Sequence, residues 1–197
     1  MAVHKNKEGL DLPITGGPKQ SIEDGARVTK VATVADDYVF MKPRMAVKVG
    51  DEVKRGQLLF EDRKQEGVRH TALGAGKVVA VNRGRFRALQ SVVIELNERE
   101  AAGTPSADDH VEFASYAAVS GKSPGSLERQ QVVDLLVESG LWTAIRQRPF
   151  GRVPSPNDEA PKALLVSAHD SNPLTADPAV VLDGKDEDFQ AGLTILS

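Results

Sequence analysis

The chain has 197 residues, 40% of them hydrophobic and 27% charged, with a formal net charge of −3. That is enough apolar material for one large or two small domains, and it lacks the basic footprint of a nucleic-acid-binding protein. Aromatics at 5% leave little for base-stacking platforms, and the lack of cysteine excludes disulfides, thiolate catalysis, zinc–cysteine sites and iron–sulfur clusters held by this chain.

The N-terminus, MAVHKNKEGLDLPI, has no apolar run of signal-peptide length. No segment approaches the ~20 apolar residues of a membrane span. The chain by itself reads as soluble and cytoplasmic, which leaves docking onto a membrane partner open. Residues 1–25 form an arm in which Pro13, Gly16, Gly17 and Pro18 disfavour a helix. Residues 26–100 then show short strands between glycine or charged turns. MAVKV (Met45–Val49), QLLFE (Gln57–Glu61), GKVVAV (Gly76–Val81) and SVVIEL (Ser91–Leu96) are the predicted strands. Their spacing suggests a small sandwich or barrel.

Residues 101–125 read as a polar linker, with HVEF a candidate extra strand and GKSPGS (Gly121–Ser126) a linker stretch with two glycines and a proline. From 126 the pattern changes. Ser126 is placed to cap a helix over LERQQVVDLLVES, with Glu128 in its first turn, Val132, Leu135 and Leu136 on one face, and Gly140 as the stop. A proline-rich connection, RQRPFGRVPSPNDEAP, follows. KALLVSA (Lys162–Ala168) is a continuous apolar run, expected to be a strand buried on both faces. Asp186 is expected to cap a second helix with Phe189, Leu193 and Leu196 on one face. Helix, strand, helix opens an α/β layer with no later strand to complete it. The chain is therefore expected to be a piece of a longer protein, with an incomplete Rossmann-like domain over residues 126–197.

Few motifs carry chemistry. GAGK (Gly74–Lys77) fails as a phosphate loop, because Thr71 and Val78 stand where the first glycine and the Ser/Thr belong. The four histidines are widely separated, and DGKDED lacks calcium-loop spacing. Asp170, Ser171 and Asn172, just after KALLVSA, are a candidate ligand loop at a strand's C-terminal end, or else ordinary turn residues. The stretch VGDEVKRGQLLFED (Val49–Asp62) has the turn and strands of a hairpin that carries lipoyl or biotinyl on lysine. Lys64 lies about where that lysine would stand, but no methionine flanks it.

The blocks GLDLPI, GPKQSIEDG, MKPRMAVKVGDEVKRGQLLFEDRK, VVAVNRG, LQSVVIE, ESGLWTAIRQRPFGRVPSP and SAHDSNPLTADPAVVLDGKDEDFQAGL resemble, in order, the A subunit of the sodium-translocating NADH:quinone oxidoreductase. Leu73 and Gly74 depart from the proline and alanine usual in that family. The resemblance implies a mixed α+β fold: a biotinyl/lipoyl-like barrel-sandwich hybrid without the modified lysine, then the start of a Rossmann-like α/β domain. Related flavin-binding domains carry a glycine-rich phosphate loop, where this chain has Trp142, Ile145, Arg146 and Arg148. Bulky side chains there oppose close approach of backbone to phosphate. The resemblance therefore implies no catalytic residue, cofactor or metal held by this chain. NADH, flavins, iron–sulfur and ubiquinone belong in or at partner membrane and flavoprotein subunits, and the chain lies peripherally on the cytoplasmic face of the inner membrane. A quinone-related role is associated with the family and falls on no particular residue here. Trp142, Arg146 and Phe150 are the candidate partner contacts, with core packing of Trp142 and Phe150 the competing reading. A lysine-modified carrier and an independent nucleotide-binding enzyme are the alternative functions.

Overall fold

The computed structural model describes residues 14–168, 170 and 172–197. Residues 26–160 group as one compact unit, and the described residues before and after it group as another.

The β-branched runs form the centre of the first unit. β7 (Leu89–Leu96) pairs antiparallel with β6 (Gly76–Arg83) on one side and with β1 (Lys30–Val34) on the other, and β3 (Glu52–Val53) adds to the far side of β6. A second antiparallel sheet sets β4 (Leu58–Asp62) between β2 (Pro43–Met45) and β5 (Arg69–Thr71). Along β7 Val92 and Ile94 are buried and Glu95 is exposed in alternation, while Leu89 is buried out of that phase, beyond a register shift against β6 between Asn82 and Arg83. β4 breaks alternation, because the adjacent Leu59 and Phe60 are both 0% exposed. The register against β5 shifts between Leu58 and Phe60, and such a bulge re-aims one side chain so that two neighbours share the core side. Leu59, Phe60, Val78, Val92 and Ile94 make one cluster from both sheets. Each contributes about 1.5–3 kcal/mol by burial.

Two predicted strands come out differently. β2 ends at Met45, and residues 46–49 run as a bend and turn into Gly50. HVEF gives only a single bridge, between His110 and Arg55. The segment there is held by side chains instead. Buried Glu100, in the one-turn helix α1 (Glu98–Ala101), accepts both Nε and Nη2 of Arg55 and the amide of Ala75 at 3.0 Å. Buried Asp109 accepts two bonds from Arg99 at 2.7 Å, one from the Ser106 amide at 2.8 Å and one from Asn97 at 2.7 Å. Arg99 first, and then the Ser106 amide, hold this carboxyl well below the usual carboxylate range.

After α2 (Ala114–Val119) comes α3 (Arg129–Ser139). Glu128, not Ser126, is its N-cap, closing a capping box with Gln131, while Ser126 ends a preceding 3-10 turn. The box needs a Gln or Glu three residues on, and Ser126 has Arg129 there. Gly140 does end the helix, at φ +83°. Thr71 Oγ1 of β5 donates to the Ser139 carbonyl at 3.0 Å, fixing the end of α3 to the second sheet. Glu138 accepts from the Ser115 hydroxyl and amide, which lower its carboxyl below the ordinary value.

In the other unit, KALLVSA is not a strand. Leu164, Leu165 and Val166 are 44%, 92% and 53% exposed. A strand buried on both faces takes its ladder bonds and cover from neighbours, and no sheet forms among the described residues of this unit. A helix missed in the sequence, α4 (Pro178–Leu182), starts at Asp177, whose carboxylate accepts the Ala179 amide at 2.9 Å. The legible signal was Asp-Pro, a cap followed by proline at the first helical position. α5 spans Asp186–Leu196 with Lys185, not Asp186, at the cap position, and Asp186 stands in its first turn. Its Phe189 and Leu196 remain 37% exposed. The Asp177 amide also donates to Gln20 Oε1 at 2.9 Å, joining the arm to α4.

Candidate functional site

Val49–Asp62 does not fold as a hairpin on itself, because β3 joins β6 in the first sheet while β4 lies in the second; the hairpin whose loop carries Lys64 is β4–β5. Asp51 accepts the Lys48 amide at 2.9 Å to fix the turn before β3, and Lys64 is exposed in the loop between β4 and β5. That loop is tied down at both ends. Asp62 accepts the amides of Lys42 at 3.1 Å and Lys64 at 2.9 Å. Ser155 Oγ donates to the Glu66 carbonyl at 2.8 Å, and a Cβ on Gly67 would stand 2.8 Å from Pro156 Cγ. The proline-rich connection thus straps the hairpin tip. Trp142, half-buried in the turn after α3, donates Nε1 to the Pro154 carbonyl at 2.9 Å and holds the strap in place.

Phe150 lies elsewhere on the connection and is 69% exposed. Its ring meets Phe40, itself 62% exposed, edge to face at 6.4 Å. Two adjoining hollows share Phe40 and Arg152. One, of about 290 Å³, is lined by Val39, Asp62, Lys64 and Gln65. The other, of about 460 Å³, is lined by Gln147, Arg148, Pro149 and Phe150. Arg152 Nε is held by Gln147 at 2.7 Å. None of Lys64, Arg148 and Arg152 forms an ion pair among the described residues. The result is a shallow groove with aromatic walls and cations without an acidic partner there. Phe40, Lys64 and Arg152 were not legible as one site, since they come from three separate segments: those of Phe40 and Lys64 are tied by Asp62 to the Lys42 and Lys64 amides, and Arg152 is carried by the strap.

Arg146 is exposed but is held against Tyr38. Its guanidinium lies 5.2 Å from the centre of the Tyr38 ring and donates to the carbonyls of Thr143 and Asp37. Tyr38 in turn meets His70 edge-on at 4.4 Å, and His70 stacks on Phe60 at 4.5 Å and 18°. His70 is 2% exposed, and neither ring nitrogen has a hydrogen-bond partner among the described residues. Burial pushes its pKa down to about 4; Asp62 opposes that shift and Arg146 adds to it. His70 is therefore neutral at pH 7 and serves the core.

These positions separate the two readings of the aromatic anchors. Trp142→Ala removes a packed, hydrogen-bonded side chain and is expected to lower Tm by roughly 5–10 °C, from about 2–3 kcal/mol. Phe150→Ala should leave Tm within about 2 °C. Differential scanning calorimetry of the two variants decides it; equal, small shifts would remove Trp142 from the core.

Asp170 and Asn172 belong to the other unit. Asp170 Oδ1 accepts the Asn172 amide at 3.0 Å and its side-chain nitrogen at 2.6 Å, which is turn chemistry. The expected strand before them is absent, and Ser171 lies outside the described residues. GAGK leads directly into β6. Among the described residues no group of three His, Asp or Glu is placed to hold a metal, and no helix is long and apolar enough to cross a membrane.

Two small antiparallel sheets closed over one core, with a strapped hairpin loop, define a barrel-sandwich hybrid domain of the carrier-like class, followed by a region of α/β-domain type. Residues 4–97 match the model of the NqrA N-terminal barrel-sandwich hybrid domain, and residues 127–197 match that of the NqrA second alpha/beta domain. The A subunit of the Na(+)-translocating NADH-quinone reductase from Alcanivorax borkumensis is 51% identical over 193 residues, 98% of this chain and 40% of the relative. Its counterparts from Vibrio anguillarum and Pseudomonas aeruginosa are each 50% identical, over 97% and 98% of this chain. The chain belongs to the NqrA family. It spans about two fifths of the length of these relatives.

Proposed function

We propose that this chain acts within the NqrA component of a sodium-pumping NADH:quinone oxidoreductase as a docking scaffold that carries no redox group of its own. The carrying observation is the identity of about half over nearly the whole chain to relatives of that name. NADH oxidation, flavin and iron–sulfur chemistry, quinone reduction and sodium movement would then reside in partner subunits. The chain would sit peripherally at the cytoplasmic face of the inner membrane.

The geometry supports a scaffold. The hairpin that a carrier would swing is strapped by Ser155 and Pro156. Trp142 and exposed Arg146 stand where a phosphate-binding loop would need small residues, and both side chains are occupied by contacts within this chain. The groove of Phe40, Phe150, Arg148 and Arg152 offers aromatic anchors beside cations, the residue types that dominate interfaces.

Affinity purification of the tagged chain from detergent-solubilised membranes of its native host tests this reading. Membrane and flavoprotein subunits should copurify, and Phe40→Ala with Phe150→Ala should reduce their recovery about tenfold without changing Tm. Recovery of the chain alone, or unchanged recovery with the double variant, rejects respectively the assembly role and the groove.

A further inference from the structure

The turn joining β6 to β7 goes against local preference. Phe86 has φ +56° and Arg87 φ +61°, with the Ala88 amide donating to the Arg85 carbonyl at 3.2 Å. Positive φ at both central residues is the requirement of a type I′ turn, which favours Asn-Gly. Here a phenylalanine and an arginine occupy it at a steric cost. Residues kept in such conformations point to a use outside folding.

The side chains indicate what that use is. Phe86 is 87% exposed. The tip, NRGRFRALQ (82–90), holds three arginines and no carboxylate, in a chain of net charge −3. The Arg85 guanidinium lies 4.8 Å from the centre of the Phe86 ring, and Arg83 is fixed to the Arg87 carbonyl at 3.0 Å. Leu89 and Val92, just behind, are buried in the core, so the finger is anchored. One convex aromatic ringed by cations offers far less than the ~800 Å² per partner of a stable protein interface. It does match an anionic bilayer surface, where an aromatic enters the headgroup layer and arginines meet phosphates.

We propose that the β6–β7 tip, through Phe86 and Arg83, Arg85 and Arg87, rests on anionic phospholipid headgroups. The inference stands on the tip alone and is independent of the groove and of subunit partners. It is tested by flotation of the chain with liposomes of phosphatidylcholine, with or without half phosphatidylglycerol. At about 25 mM salt, roughly tenfold more protein should float with the anionic vesicles, and the excess should vanish near ~0.5 M salt. The variant Phe86→Asn/Arg87→Gly should lose that excess while its Tm rises by roughly 4 °C, since it suits the turn better. Loss with a raised Tm cannot be unfolding. Equal flotation with both vesicle types overturns the proposal and leaves the tip to a protein partner. Retained anionic binding by the folded double variant overturns it too.

Discussion

Replacing Gly76 with alanine is expected to lower Tm by roughly 10 °C or more, or to prevent folding of the β-rich unit. A Cβ at this position would overlap the Glu95 carbonyl oxygen and stand 2.9 Å from Leu96 Cα, both backbone. Gly76 opens β6 opposite Leu96 and also pairs with Val53 of β3. Relief would require moving β7, an inner strand whose Val92 and Ile94 fill the core. A forced shift of that kind costs about 3–5 kcal/mol. Gly103→Ala is the control. Gly103 has φ +73° but nothing within 4 Å of its Cβ, so conformational strain alone should cost about 1–2 kcal/mol, or roughly 2–8 °C. Equal shifts for the two variants would mean that contact at Gly76 is not decisive.

Stability should fall as pH falls from about 6.5 to about 4. His70 has a folded pKa of about 4, below its ordinary 6.5. Between those values the unfolded chain binds the proton and the folded chain does not, so acid favours unfolding. Above pH 6.5 both states are neutral and the contribution is flat; below 4 both are charged and no further loss comes from this group. The full penalty approaches about 3 kcal/mol. Glu138 and Asp109, held below their ordinary values by hydrogen bonds, add losses only at and below the normal carboxylate range. Urea unfolding at pH 7.5, 6, 5 and 4 measures the slope. His70→Leu should flatten it between 6.5 and 5, whatever the variant's absolute stability; an unchanged slope would place the titration elsewhere.

What was legible in the sequence followed local signals. β6 and β7 showed as β-branched runs, α3 and α5 as apolar residues at helical spacing, and Gly140 as a stop. The bulge that buries Leu59 beside Phe60 depends on pairing with β5 and left no local mark. The cap moved from Ser126 to Glu128 because Gln131 completes a box there. KALLVSA reads as a buried strand by composition, yet a strand of that kind needs partners, and no sheet forms around it among the described residues. The site was legible only in part. Phe150 was singled out as an anchor, but its neighbour Phe40 and the cations Lys64 and Arg152 come from separate segments. Trp142 showed as an aromatic in a region that should be small, and only the structure reveals it holding Pro154. The strained tip at Phe86 was silent, since RGRFR looks like an ordinary charged turn.

In the proposed role a carrier shape serves as a scaffold without cargo. Lys64 decides between scaffold and carrier: it is exposed on the hairpin loop, but the loop is strapped, and Arg63 and Gln65 flank it where a biotin carrier would have methionines. Intact-mass spectrometry of the chain purified from its native host is the most direct measurement. The scaffold account predicts the mass of the unmodified polypeptide. A biotinyl or lipoyl addition mapped to Lys64 would contradict it.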